Sequence, residues 1–396
     1  MATQFTDCLP TPTLRSAMME KLAAPRERQP DTRQFALPQG LRVVSADNHM
    51  GISKDIWYEG FPEHLKHAAP RVLFDGGLWT IRQPCAPCFA DMSPIEQIGH
   101  RIFESHDIPG NTDLDVRMAD LAVEGHNQEI VYPQLLGGYF GFADLEVREW
   151  IFRIYNQHLA NLQAEKPGQF YGVGIPNYWD MSKARESIQE IKSLGLKTFM
   201  LPRIPGKDPQ GREIIYSNPE CKPLWDAIEE GGLPISFHIG EGAMTGGVNG
   251  WSTMLLEGFD AFRRNFAQLV FGGIFDRHPS LKVVFVESGI KWVPSALQDA
   301  EMIYDSFTHM FDPLPQHRPT HYWQKHCYAV FMVDPIGLKL LDYVGADRVM
   351  WAADYPHMES TFGYSWQAMQ EVMDHVTDAD ARKILGDTAR QLYGLP

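Results

Sequence analysis

Residues 281–287, LKVVFVE, carry the reading that decides the fold. The run is apolar without alternation, and it ends in a carboxylate. A strand with one wet face alternates apolar and polar residues. An unbroken apolar run fits a strand covered on both faces, as in a parallel sheet packed between helices. Runs of the same kind stand at 42–47 (RVVSAD), 129–134 (EIVYPQ), 170–176 (FYGVGIP), 196–202 (LKTFMLP), 233–239 (LPISFHI), 327–333 (CYAVFMV) and 348–354 (RVMWAAD). Helical patterns lie between them. SKARESIQEIKSLG (182–195) and CKPLWDAIEEGG (221–232) end on glycine, PIGLKLLDYVG (335–345) opens on proline and stops at glycine, and GFDAFRRNFAQLVFGGIFDRHP (258–279) is amphipathic. Eight strands alternating with helices predict an α/β fold, a (β/α)8 TIM barrel. An open doubly wound sheet would carry a Gly-rich phosphate loop after an early strand, and neither that loop nor a Walker-type motif is present.

The chain has 396 residues, and 44% of them are hydrophobic, enough for a barrel core with insertions. Residues 1–40 are rich in proline, threonine and charge, and are read as an N-terminal arm that wraps the surface or reaches a partner subunit; 41–396 form the barrel. About 80 residues separate the first two strands, so a cap inserted at about 52–125 is expected on the side of the barrel where active sites lie. It holds Trp57, Phe61, Arg71, Phe74, Trp79, Arg82 and Phe89, and reads either as a lid over a bulky substrate or as a self-packed surface excursion.

The formal charge of −15 argues against nucleic acid and anionic membranes as partners. No run approaches a membrane span and no signal pattern opens the chain, so a cytoplasmic enzyme with a small-molecule substrate is expected, as a homodimer or higher homo-oligomer. The five cysteines are scattered, and the CxxC at Cys85 and Cys88 lacks the second pair or following helix of a zinc or redox site.

Chemistry concentrates at strand ends. Asp47 and His49 share a face of the first strand, because residues i and i+2 point the same way. His238 closes an apolar run before Gly240 and Gly242, as a ligand or as a satisfied core histidine. Glu287 and Asp354 each end an apolar run, where an unpaired buried carboxylate would be costly. Asp47, His49, His238, Glu287 and Asp354 together form a set suited to a divalent metal such as Fe, Zn or Mn. Such an ion lowers the pKa of bound water and polarises a carbonyl. Near the same mouth, His357 reads as a proton shuttle or a loop histidine, and Glu241 as a ligand-supporting or solvated acid. Trp292, Arg203, Trp79 and Arg71 are the candidates for substrate binding. His126 and His278 precede strands and are read as structural.

The segments SADNHM, PISFHIGEG, GGIFDRHPSLKVVFVESGIKWVP, GADRVMWAADYPH and KILGDTARQLYGL resemble the amidohydrolase superfamily, in the branch that contains aminocarboxymuconate-semialdehyde decarboxylase and the resorcylate decarboxylases. The resemblance spans roughly residues 42 to 395, apart from much of the cap. It implies a distorted barrel with the metal at the C-terminal strand ends, and Asp354 as ligand and proton carrier. Two positions depart from it. Asp47 stands where much of the superfamily has histidine, and Glu287 where the decarboxylase branch often has a strand-six histidine. Three carboxylates suit an oxygen-loving ion or a pair of ions, one or two per chain, with Glu287 as bridge or second-metal ligand; Lys197, at the start of its strand, is a poor candidate for a bridging lysine. These departures favour hydrolysis of an amide, ester, lactone or thioester by metal-activated water, with Asp354 as base. The alternative is non-oxidative decarboxylation of an aromatic or unsaturated acid.

Overall fold

All eight apolar runs are strands in the computed structural model, which describes residues 27–75, 78–82, 108–134, 139–240, 248, 250–259 and 262–396. They are β1 (Val44–Met50), β4 (Gln128–Pro133), β5 (Phe170–Gly174), β6 (Thr198–Met200), β7 (Ile235–His238), β8 (Val283–Val286), β9 (Cys327–Phe331) and β10 (Val349–Trp351). A hairpin of β2 (Arg71–Asp75) and β3 (Leu78–Arg82) lies between the first two. The eight run parallel in chain order with helices around them, a nearly closed (β/α)8 barrel. Residues Val283 to Val286 of β8 are wholly buried, as expected of a strand with neighbours on both faces.

Beyond β10 the barrel is joined by hydrogen bonds to β1. His49 N donates to Tyr355 O (2.7 Å) and Asp354 N to Asp47 O (2.9 Å). Ser45 Oγ accepts from Ala353 N (2.8 Å), and Asn48 Oδ1 from Tyr355 N (2.9 Å).

The outer helices follow local signals. Helix Leu145–Glu165 is capped by Asp144, whose carboxylate accepts from Glu146 N and Val147 N. Helix Lys222–Gly231 stops at Gly232, which takes φ +68°. Two expected helices are each broken in two. The stretch 335–345 splits into Pro335–Lys339 and Leu341–Val344 at Leu340, whose φ −103° and ψ 14° leave the helical region. The stretch 258–279 yields Arg263–Phe271 and Ile274–Arg277. Between them Gly273 takes φ +64°, and at Gly272 a side chain would sit 2.4 Å from Gln268 O.

Within the expected cap, the described elements are a short helix (Ile56–Gly60), two 3-10 helices (Glu63–Ala68 and Pro109–Asn111), the β2–β3 hairpin and helix Leu114–Val123. Cys85, Cys88, Phe89, Glu241, Gly242 and the first 26 residues lie outside the described residues. Among the described residues no helix is long and apolar enough to cross a membrane.

Candidate metal centre

Asp47 and His49 reach the barrel mouth through an irregularity in β1. Its register against β4 shifts between Ser45 and Asn48. Such a bulge re-aims the side chains that follow it. The irregular turn is held from below. Asn48 Nδ2 donates to Glu129 Oε2 (2.6 Å), and Ser45 Oγ lies 2.9 Å from Asn48 Oδ1. Arg117 forks onto Glu129 (2.8 and 2.6 Å) and donates from Nη1 to the carbonyl of His49 (2.8 Å). Arg117 and Glu129 are both buried, so this bidentate pair is charge-assisted and its geometry rigid.

Two other carboxylates arrive on unusual backbone. Glu287, just after β8, has φ +71°, and Asp354, just after β10, has φ +57°. They are the two non-glycine residues with positive φ among those described. The left-handed region costs an L-residue roughly 1–2 kcal/mol, and such strain gathers at functional sites.

The side chains converge. Asp47 Oδ1 lies 3.4 Å from His238 Nε2 and 3.6 Å from His49 Nε2. His49 Nε2 is 3.3 Å from Asp354 Oδ1, and Glu287 Oε2 is 3.3 Å from His238 Nδ1. His357 Nδ1 lies 3.0 Å from Asp354 Oδ1 and 3.6 Å from Glu287 Oε1, with its ring stacked on His49 at 3.9 Å. One ligand atom from each of Asp47, His49, His238 and Glu287 falls within 4.8 Å of the others. Asp354 and His357 form a second such group with His49, and a third with Glu287 and Glu359.

These residues fit a cation. His238 Nδ1 lies 2.7 Å from Ile239 O; as the donor there it leaves the Nε2 lone pair facing Asp47 Oδ1. Asp47 Oδ1 and His238 Nε2 are buried and make no hydrogen bond among the described residues. A lone pair set against a carboxylate oxygen is repulsive unless a proton or a metal lies between them. The ionisation of the cluster says the same. Burial, followed by the carboxylates of Glu287 and Asp47, acts on His238; burial opposes its charge, the carboxylates outweigh that, and its pKa rises to about 9. Burial lifts Asp47 to about 6 against the pull of His238, and lifts Asp354 well above the ordinary carboxyl range, with Glu287 and Asp47 adding to it. The carboxylates thus hold protons on the imidazoles of His238 and His357, positive charge of the kind that a divalent ion would replace.

A model of the family described as Amidohydrolase matches residues 133–395. The chain belongs to the amidohydrolase family. Among its relatives is the 2-amino-3-carboxymuconate-6-semialdehyde decarboxylase of Dictyostelium discoideum, 23% identical over 291 residues, covering 72% of this chain and 77% of that one. Another is a gamma-resorcylate decarboxylase of Rhodococcus jostii, 24% identical over 264 residues, covering 62% and 77%. Solved structures share the fold. An amidohydrolase from Mycobacterium avium subsp. paratuberculosis superposes with a TM-score of 0.71 at 18% identity, over 90% of this chain and all of that one. The 5-carboxyvanillate decarboxylase of Novosphingobium aromaticivorans, with bound manganese and a nitrobenzoic acid, gives 0.66 at 17%, covering 93% and 99%. These relatives correct one expectation. Hydrolysis of a carboxylic derivative, a thioester included, is what the extra carboxylates favour, but these two sequence relatives, and a gamma-resorcylate decarboxylase of Polaromonas, are decarboxylases. An acid-rich ligand set serves either reaction, so counting carboxylates does not separate them.

The structure brings Asp47, His49, His238, Glu287, Asp354 and His357 together. The proposed substrate contacts are more dispersed. Trp292 packs among Phe262, Phe285 and Trp323 in the aromatic core. Arg71 pairs with Asp55 (2.6 Å) and lies over Tyr58, and Trp79 packs on Phe74 across the hairpin. Arg203 follows β6 at the mouth end of the barrel. Lys197 precedes β6, at the far end. Tyr132, Arg117, Glu129 and Glu359 were not singled out in the sequence. Tyr132 packs against His238 at 4.9 Å. Glu129 opens an apolar strand, which signals a need for a cation, but only the fold shows that Arg117 provides it.

Proposed function

We propose that this chain is a metal-dependent, non-oxidative decarboxylase of an aromatic or unsaturated carboxylic acid. The observation that carries the reading is the Asp354–His357 pair, a proton-holding couple 3.0 Å apart at the edge of a His/carboxylate metal site. The names of the relatives support it. Asp47, His49, His238 and Asp354 are the residues that would hold the ion. When bound, a divalent cation supplies positive charge that fixes the substrate carboxylate and an adjacent hydroxyl.

The chain's own part is proton management. Decarboxylation breaks the carbon–carbon bond to the carboxylate, releases carbon dioxide and leaves the electron pair on carbon, which must then take a proton. Asp354, whose Oδ1 lies 3.0 Å from His357 Nδ1, is the carboxylate through which that proton would pass. His357, opposed by burial but raised by Asp354 and Glu287 well above an ordinary imidazole, can resupply it. Glu287 thus takes part from the strand position where the decarboxylase branch often has histidine, with the imidazole now supplied by His357.

Purified protein given Mn²⁺ and tested with 2,6-dihydroxybenzoate, 5-carboxyvanillate and aminocarboxymuconate semialdehyde is expected to release carbon dioxide from at least one. In D₂O, deuterium should appear at the carbon that lost its carboxylate. Oxygen-18 from water entering a carboxylate product, with no carbon dioxide, would reject the proposal.

A further inference from the structure

The segment that places His357 and Glu359 runs from the end of β10 to helix Ser365–His375. Bonds within it include His357 N to Asp354 O (2.9 Å), Ser360 N to His357 O (3.2 Å), Thr361 N to Ala353 O (2.9 Å) and Tyr364 N to Thr361 O (2.8 Å). Much of what holds its outer part comes from over 300 residues away. Arg28, in the N-terminal arm, donates from Nη1 to the carbonyls of Ser360 (2.8 Å) and Phe362 (3.3 Å), and to Ser360 Oγ (3.4 Å). Its Nη2 donates to the carbonyl of Met358 (2.5 Å). Three carbonyls from one short loop therefore converge on one guanidinium. Converging carbonyl dipoles repel unless a cation with several donors sits among them, and a planar guanidinium has five N–H groups fixed in a fork.

The arm is tied down a second time at Asp31. Its N–H donates to Glu124 Oε1 (2.8 Å), which also accepts from Gly363 N (2.6 Å), while the Ser365 hydroxyl donates to Glu124 Oε2. One buried carboxylate thus joins the arm, the end of helix Leu114–Val123 and the end of the loop. The packing is close: a side chain at Gly363 would lie 3.4 Å from Arg28 Cβ.

We propose that the N-terminal arm is a clasp for the loop over the metal centre, and that Arg28 is a positioning residue for His357, acting through residues 358–362. The role in turnover rests on the assignment of His357 to the reaction, whereas the clasp itself does not. His357 must stay stacked on His49 and 3.0 Å from Asp354. Misplacing a reacting group by about 1 Å costs on the order of 10²-fold in rate.

The test uses the full chain with Arg28→Gln, Arg28→Lys and Arg28→Gly. Hydrogen exchange read by mass spectrometry is expected to quicken over 357–363 in Arg28→Gln and to stay unchanged in the barrel strands. On a substrate the wild type turns over, kcat should fall by on the order of 10²-fold, with KM and bound metal little changed. Arg28→Lys should recover part of the loss, and methylguanidinium should partly restore Arg28→Gly. Unchanged exchange in the loop overturns the clasp, even if no acid is decarboxylated by the wild type. Faster exchange with kcat unchanged overturns the positioning role. If Arg28→Gln does not fold, the Lys variant and the methylguanidinium rescue carry the same two readouts.

Discussion

The barrel has histidines at both of its ends, and burial has opposite outcomes for His238 at the mouth and for His126 and His326 at the far end. At the mouth, His49, His238 and His357 stand among Asp47, Glu287 and Asp354. At the far end, His126, His278 and His326 precede their strands. Burial lowers His126 to about 3, with Arg117 adding to the effect, and it lowers His326 to about 4. His326 is stacked on Phe275 at 4.4 Å with Nδ1 2.8 Å from Leu281 O, and His278 Nδ1 lies 3.1 Å from Glu229 Oε2. Burial alone drives an imidazole neutral. Only a surplus of carboxylates reverses that, as it does for His238, at about 9. What sets the mouth histidine apart is its neighbours, not its burial.

The strongest way to break this contrast is Asp354→Asn. The amide keeps the shape of the side chain but can neither carry the proton nor bind a metal as an anion. Loss of an essential proton carrier typically costs 10²–10⁴-fold, and with a metal ligand lost as well the expected fall in carbon dioxide release is about 10³-fold or more. Far-UV circular dichroism should be unchanged. A variant that keeps the wild-type rate would mean that the reaction end has been misassigned.

Glu287→Gln sharpens the contrast with a smaller effect. Asp47, Glu287 and Asp354 offer three negative charges. One divalent ion balances two of them and a proton shared by the Asp354–His357 couple the third, so one metal per chain is expected from elemental analysis, and two equivalents would count against this accounting. Removing the Glu287 charge should weaken metal binding by about 10–100-fold, the usual cost of losing a group that supports the ligands, as read by competition with a chelator.

Much of this was legible in the sequence, for a physical reason. Strand ends in a parallel barrel converge whatever the loops do, so apolar runs closed by Asp, His or Glu at 47, 49, 238, 287 and 354 bring those side chains together at one end. The supports were not legible, because they depend on partners remote in sequence. Arg28 meets a loop 330 to 334 residues away. Neither residue type nor spacing announces such a contact. Trp292 shows the converse: its position after β8 reads equally as a pocket wall or as core packing, and the fold shows its ring against Phe285 and Trp323.

The smallest effect on the reaction is expected at the far end, from His126→Phe, and there the contrast becomes quantitative. Neither ring nitrogen of His126 has a hydrogen-bond partner among the described residues, and the ring meets Trp351 edge-on at 5.2 Å. Phenylalanine can take that place without orphaning a donor or acceptor, so kcat and metal content should stay at wild-type values. Stability should respond instead, with a defined sign. An unfolded histidine titrates near 6.5, and His126 in the fold at about 3, so between those values the unfolded chain binds the extra proton. The stability of the native protein therefore falls with pH from about 6.5 downward. At pH 5 this one group accounts for about 2 kcal/mol, at 1.36 kcal/mol per pH unit. His126→Phe should remove that part of the acid limb while leaving stability at pH 7.5 nearly unchanged, as urea unfolding at the two pH values will show. An acid limb identical to wild type would mean that His126 is not held neutral. The far end would then differ from the mouth in position only, not in charge.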